Sequence, residues 1–102
     1  INLNEKDSEG RTALIWAAQN GHLPVVEILV KQQNIKLNEK DNGGNTALIS
    51  AASRGHLPVV EILLKQPGIN VNEKSNWGET ALEEAGSNKE IVELLKRHGA
   101  TE

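Results

Sequence analysis

The sequence predicts an all-α solenoid of helix-turn-helix units stacked side by side, with tight turns between them. Three observations predict it. The block from Asp41 to Lys65 returns 34 residues earlier, from Asp7 to Lys31, and in trimmed form 34 residues later, from Ser75 to Arg97. Inside each block, apolar residues recur at helical spacing between Thr and Gly punctuation. The apolar content is almost wholly Ala, Val, Ile and Leu, with no Phe, Tyr or Met and only Trp16 and Trp77 as aromatics.

The repeat is the strongest signal. Residues 1–34 and 35–68 are identical at 24 of 34 positions without a gap. One supersecondary unit used three times must stack to bury a shared core. The expected organisation is a single domain over 1–102, with repeats at about 7–40, 41–74 and 75–102. Residues 1–6 read as the tail of a preceding repeat. The start at Ile1 predicts a chain cut from something longer, with upstream repeats or an N-terminal cap left out.

Each unit opens on a turn. Asp7-Ser8-Glu9-Gly10 and Asp41-Asn42-Gly43-Gly44 pair an Asp that can bond its own backbone with a Gly suited to positive φ. Thr12 and Thr46 follow as helix caps. Short helices are expected over Ala13–Gln19 and Ala47–Ser53, ended by Gly21 and Gly55. The pairs Ala17-Ala18 and Ala51-Ala52 let neighbouring helices approach closely.

Second helices start near Leu23 and Leu57, with Pro24 and Pro58 in the first turn, where a missing N–H costs nothing. Val25, Val26, Ile28, Leu29 and Val30 form an apolar stripe, repeated by Val59, Val60, Ile62, Leu63 and Leu64. Glu27–Lys31, Glu61–Lys65 and Glu93–Arg97 have the favourable i,i+4 order. Ile35–Asn38 and Ile69–Asn72 alternate like a short extended arm leading to the next turn.

The third unit departs from this pattern. Trp77-Gly78-Glu79-Thr80-Ala81-Leu82 keeps the turn and the first helix, but Glu83 and Glu84 replace apolar or small residues. The loop between helices reads as two residues shorter. Ser87-Asn88-Lys89-Glu90 reads as a capping box. Ile91, Val92, Leu94 and Leu95 rebuild the stripe, and Gly99 closes the helix. A last repeat has no neighbour on one side, and Glu83, Glu84, Lys89 and Lys96 suit such a polar outer face.

Composition narrows the function. The net charge of −3 is spread along the chain, against the clustered basic face that nucleic acid would want. No apolar run approaches the ~20 residues of a membrane span, and no signal peptide is present. The chain has no cysteine, hence no disulfide framework or thiolate metal site. That fits an intracellular setting, cytoplasmic or nuclear. No nucleophile motif, dinucleotide fingerprint or phosphate loop appears, so neither catalysis nor a cofactor is expected.

The residues that carry the pattern make the chain resemble the ankyrin repeat. They are Asp41, Gly44, Thr46, Leu48, Ala51, Ala52, Gly55, His56, Val59, Val60, Leu63, Leu64, Val71 and Asn72, with the first repeat matching as well. Two departures stand out. Ala13 and Ile15, like Ala47 and Ile49, replace the usual Pro and His of the first helix. One extra residue after the second helix makes the period 34 instead of 33. The resemblance implies a rigid ankyrin-repeat solenoid with β-turn fingers at one edge. It implies binding of another protein along the fingers and the concave face of the first helices, by a non-catalytic monomer. A targeting segment of a larger enzyme or effector, and an engineered consensus-like scaffold, are the alternatives.

Candidate contacts are the finger positions, where faithful repeats diverge: Ser8, Glu9 and Arg11; Asn42, Gly43 and Asn45; Asn76, Trp77 and Glu79. Exposed turns also vary when nothing constrains them. Trp77 is the sharpest candidate, because an exposed Trp suits an interface hot spot. The bland alternative folds its ring onto the neighbouring turn or the capping helix. Trp16 is expected to pack between first helices. Gln19, Asn20, Ser53 and Arg54 are concave-face polar residues, as suited to solvent as to a partner. His22 and His56 tempt a metal reading, but no third ligand joins them, and the resemblance assigns them to backbone bonding. His98 falls near a helix C-terminus, where a protonated ring is favourable. The recurring Glu5-Lys6, Glu39-Lys40 and Glu73-Lys74 read as a solubilising charge ladder.

Overall fold

The computed structural model describes residues 2–101. Six helices follow one another: α1 Ala13–Gln19, α2 Leu23–Val30, α3 Ala47–Ser53, α4 Leu57–Leu64, α5 Ala81–Ala85 and α6 Lys89–Arg97. The first helix of each pair stacks on the next, α1 on α3 on α5, and the second helices form a parallel row, α2 on α4 on α6. The stack is elongated, 37 × 26 × 22 Å.

Each first helix starts where a threonine caps it. Thr12, Thr46 and Thr80 are buried, and their hydroxyls accept from the backbone N–H of Ile15, Ile49 and Glu83. The core is then aliphatic. Leu14, Ile15, Leu48 and Ile49 are buried along the first helices, and Val26, Val60, Leu63, Ile91 and Leu95 along the second. Ala17, Ala18, Ala51, Ala52, Ala81 and Ala85 are also buried, so the first helices meet with little side chain between them. Each large buried aliphatic contributes on the order of 1.5–3 kcal/mol, and this carries most of the stability.

The third pair corrects two expectations. Three residues separate the helices of every pair, at 20–22, 54–56 and 86–88. The deletion therefore shortens the helix, to five residues in α5 against seven in α1 and α3. Nor does Ser87 cap α6. Asn88 does so, accepting from the Ile91 N–H at 3.3 Å. The capping box lies one helix earlier, where Glu83 Oε1 accepts from the Thr80 N–H at 3.0 Å and the Thr80 hydroxyl accepts from Glu83 N–H at 3.3 Å. Glu83 thereby replaces a core isoleucine without stranding a buried charge.

Polar ties run from repeat to repeat. Asn4, Asn38 and Asn72 each donate to a backbone carbonyl about thirty residues on (Asn34, Gly68 and Gly99) and accept from a backbone N–H two residues further (Lys36, Asn70 and Thr101), at 2.8–3.2 Å. Lys6 Nζ donates to the Lys40 carbonyl at 2.8 Å and Lys40 Nζ to that of Lys74 at 3.1 Å. The same lysines pair with Glu39 and Glu73 at 3.5 and 3.1 Å. The charge ladder is thus part of the stacking and not merely solubilising. Of the three expected i,i+4 pairs, Glu93–Arg97 alone comes within ion-pair distance among the described residues, at 4.0 Å.

The first pair differs in what it leaves open. Val59 of α4 is 1% exposed, whereas its counterpart Val25 is 44% exposed and Ile28 is 62% exposed. Trp16 is 45% exposed, with its ring centroid 5.1 Å from that of His22. The expectation that Trp16 packs between first helices fails. Its ring shields His22, whose counterpart His56 reaches into the preceding repeat.

Glycine spacing sets the approach of neighbouring repeats. Gly44 has φ +78°, and a Cβ there would lie 2.6 Å from the backbone N of Asn76. Gly78 has the same φ of +78° with nothing within 4 Å. Gly78→Ala should therefore cost only the left-handed strain, about 1–2 kcal/mol. Gly44→Ala should cost roughly a further 1–3 kcal/mol from the clash. Equal losses by urea denaturation would show that inter-repeat contact at Gly44 is unimportant.

Candidate functional site

The fingers are built by one acceptor each. Asp7 Oδ1 accepts from the N–H of Glu9 and of Arg11 at 2.9 and 2.8 Å. Asp41 does the same for Gly43 and Asn45 at 2.9 and 2.8 Å. In the third finger the Ser75 hydroxyl stands in, accepting from Trp77 and Glu79 at 3.2 and 3.4 Å. The hydrogen bond from the Arg11 N–H, joined by those from Glu9 N–H and the Arg11 side chain, holds the Asp7 carboxyl below the usual range.

Several candidate contacts turn out to be framework. The Asn42 amide donates to the Ser8 carbonyl at 3.2 Å and the Asn76 amide to that of Asn42 at 2.9 Å. Their backbone N–H groups donate to Glu9 and Gly43 carbonyls at 3.0 and 2.9 Å. These two side chains clamp finger to finger. Arg11 is held at 2.6 Å by Glu9 and 3.0 Å by Asp7, so Glu9 and Arg11 also satisfy each other. Ser8 is exposed, and Gly43 lends its carbonyl to the clamp. Of the histidines, His56 Nε2 bonds the Gln19 carbonyl at 3.1 Å, and a Cβ on Gly21 would lie 2.7 Å from the His56 ring. His98 forms the C-cap of α6, and its backbone N–H donates to the Leu95 carbonyl.

What remains converges on one concavity between the second and third fingers. Its volume is about 260 Å³, lined by Gln19, Asp41, Asn45, Ser50, Ser53, Arg54, Trp77 and Glu84. Five residues singled out by the sequence meet there: Asn45, Arg54 and Trp77, with Gln19 and Ser53 on the wall. Trp77 is 79% exposed. Its ring is not buried on the neighbouring turn or the capping helix. Arg54 forms no ion pair among the described residues.

Glu84 and Ser50 are the residues sequence reading missed. Glu84 is half-buried in the concave wall, so it does not belong to the polar outer face expected of it. A signal was available. Trp16, Ser50 and Glu84 occupy one equivalent position and are three different residues, the same divergence that marks the fingers. The hydrogen bond to Glu84, then its charge, burial and the charge of Glu83, push the Glu79 carboxyl above the usual range.

The stacked pairs, their fingers and the concave wall agree with a comparison of sequence families. A family model for ankyrin repeats matches three copies, over residues 1–75 and 38–101. The chain belongs to the ankyrin-repeat family. Ankyrin repeats are generally protein–protein interaction modules and are typically non-catalytic. A search of curated proteins found no match to this ankyrin chain. Among the described residues, no group of three His, Asp or Glu side chains is placed to hold a metal, and no helix is long and apolar enough to cross a membrane.

The carboxyl pair yields a pH prediction. Glu79 has a folded-state pKa raised above its unfolded value, so its proton favours the fold at low pH, and that benefit is lost as pH rises through the folded pKa. Glu84→Gln should return Glu79 toward the ordinary range in carboxyl NMR titration. It should also raise Tm at neutral pH, a gain that shrinks as pH falls through the Glu79 titration. An unmoved Glu79 midpoint would refute the coupling.

Proposed function

We propose that this ankyrin domain is a non-catalytic module that binds another protein through the concavity bounded by its second and third fingers. One observation carries the reading. Asn42 and Asn76 are spent on holding neighbouring fingers together and Glu9 and Arg11 on each other, yet Trp77 stands 79% exposed at a tip beside an open concavity. A large ring on an immobilised turn supplies contact area at little entropic cost. Asn45 and Arg54 flank it, and Ser8, Glu9 and Arg11 lie further along the same edge as secondary contacts.

Because Trp77 contributes little to the core, Trp77→Ala should leave Tm within about 2 °C of the parent, as surface changes of about ±0.5 kcal/mol do. Affinity for a protein ligand of the domain should fall by roughly 2 kcal/mol, a hot-spot loss. Isothermal titration calorimetry with unchanged affinity would place the binding surface elsewhere.

A further inference from the structure

The concavity has a chemistry of its own, and the following rests on the protein-binding reading above. Its volume of about 260 Å³ falls below the roughly 300–1,000 Å³ of pockets for drug-sized molecules. It suits one long side chain. Three features face the same space. The exposed ring of Trp77 forms one side, and the carboxylates of Glu84 and Asp41 line it. Ser50, 9% exposed, lies on its wall.

The charges around this space are unbalanced. Glu84 and Glu83 hold the Glu79 carboxyl above its ordinary range. Arg54 is the one cation lining the concavity among the described residues, and it pairs with none of these carboxylates. Asp41 and Glu84, which line the concavity, have no paired counter-ion among the described residues. An aromatic face beside them attracts a cation as well. A planar guanidinium satisfies both, stacking on the ring while its fork bonds a carboxylate, with a further N–H for the Ser50 hydroxyl.

We propose that this concavity receives an arginine side chain of the partner polypeptide, stacked on Trp77 and bonded to Glu84 and Ser50. Asp41 contributes charge, since its Oδ1 is already committed to the finger. Arg54 opposes the incoming cation and turns toward the carbonyls or acidic groups flanking the arginine.

The test selects binders to the 102-residue chain from a display library of random dodecapeptides and titrates the enriched peptides by calorimetry. The selected peptides should share an arginine whose replacement by alanine weakens binding about tenfold or more. Glu84→Gln and Trp77→Ala should each cause a loss of similar size, with circular dichroism unchanged. Arg54→Ala should weaken binding less than Glu84→Gln does, since Arg54 meets only what flanks the arginine. Binders that need Trp77 but neither an arginine nor Glu84 would overturn the arginine site and leave the protein-binding reading standing. So would binding abolished by Arg54→Ala, which would point to an acidic anchor. No enrichment, or binders indifferent to Trp77→Ala, would overturn both.

Discussion

Neighbouring fingers are joined by a main-chain hydrogen bond, Asn42 N–H to the Glu9 carbonyl and Asn76 N–H to that of Gly43. Much else follows from this contact. It needs the residue beside it to lack a side chain, because a Cβ on Gly10 or Gly44 would run into Asn42 or Asn76. It therefore sets how far apart the fingers sit. That spacing in turn lets α1, α3 and α5 meet through buried alanines. A bulkier turn would lift the helices off one another and open the core.

The remaining polar ties repeat the same register. The asparagines at 4, 38 and 72 and the lysines at 6 and 40 each bond a backbone carbonyl of the following repeat. Each neutral bond contributes only about 0.5–1.5 kcal/mol net, less than one buried leucine. Their effect is to make a single stacking offset the satisfied one. Slippage by one residue would strand a row of donors and acceptors together. The result is a rigid edge on which finger tips can vary without disturbing what lies beneath.

Much of this was legible in the sequence. The ends of α1 and α3 follow from Thr12, Thr46, Gly21 and Gly55, because caps and left-handed glycines act over three or four residues. The misreadings share a cause, which is that their partners lie 30 to 37 positions away or on a repeat face. Asn42 and Asn76 looked like free tips, yet each bonds the finger 34 residues earlier. The recurring Glu-Lys pairs looked solvated, while Lys6 and Lys40 reach across to the next repeat. Trp16 was expected between first helices, yet it is 45% exposed while its counterpart Ser50 is buried, because burial belongs to the neighbours and not to the position. Ser87 matched a capping box by spacing, but α6 starts one residue later on Asn88, and the box lies at Thr80 on α5.

The concavity is where this consistency stops. Several carboxyls elsewhere meet donors: Asp7 and Asp41 meet the finger amides, Glu9 meets Arg11, and Glu39 and Glu73 meet lysines. Glu79 meets another carboxyl instead. Sequences that fold well are locally consistent, and departures from that rule concentrate where a surface has a use. An exposed tryptophan and the buried Ser50 share this site with Asp41 and Glu84. Each alone is an ordinary imperfection. Together they are complementary to one kind of group, planar, cationic and attached to a flexible stem. In the other finger gap Ser50 takes the place that Glu84 has here, and Asn45 takes that of Glu79. The same scaffold therefore presents an uncompensated negative charge at only one of its two finger gaps, and a cation arriving along the edge is directed there.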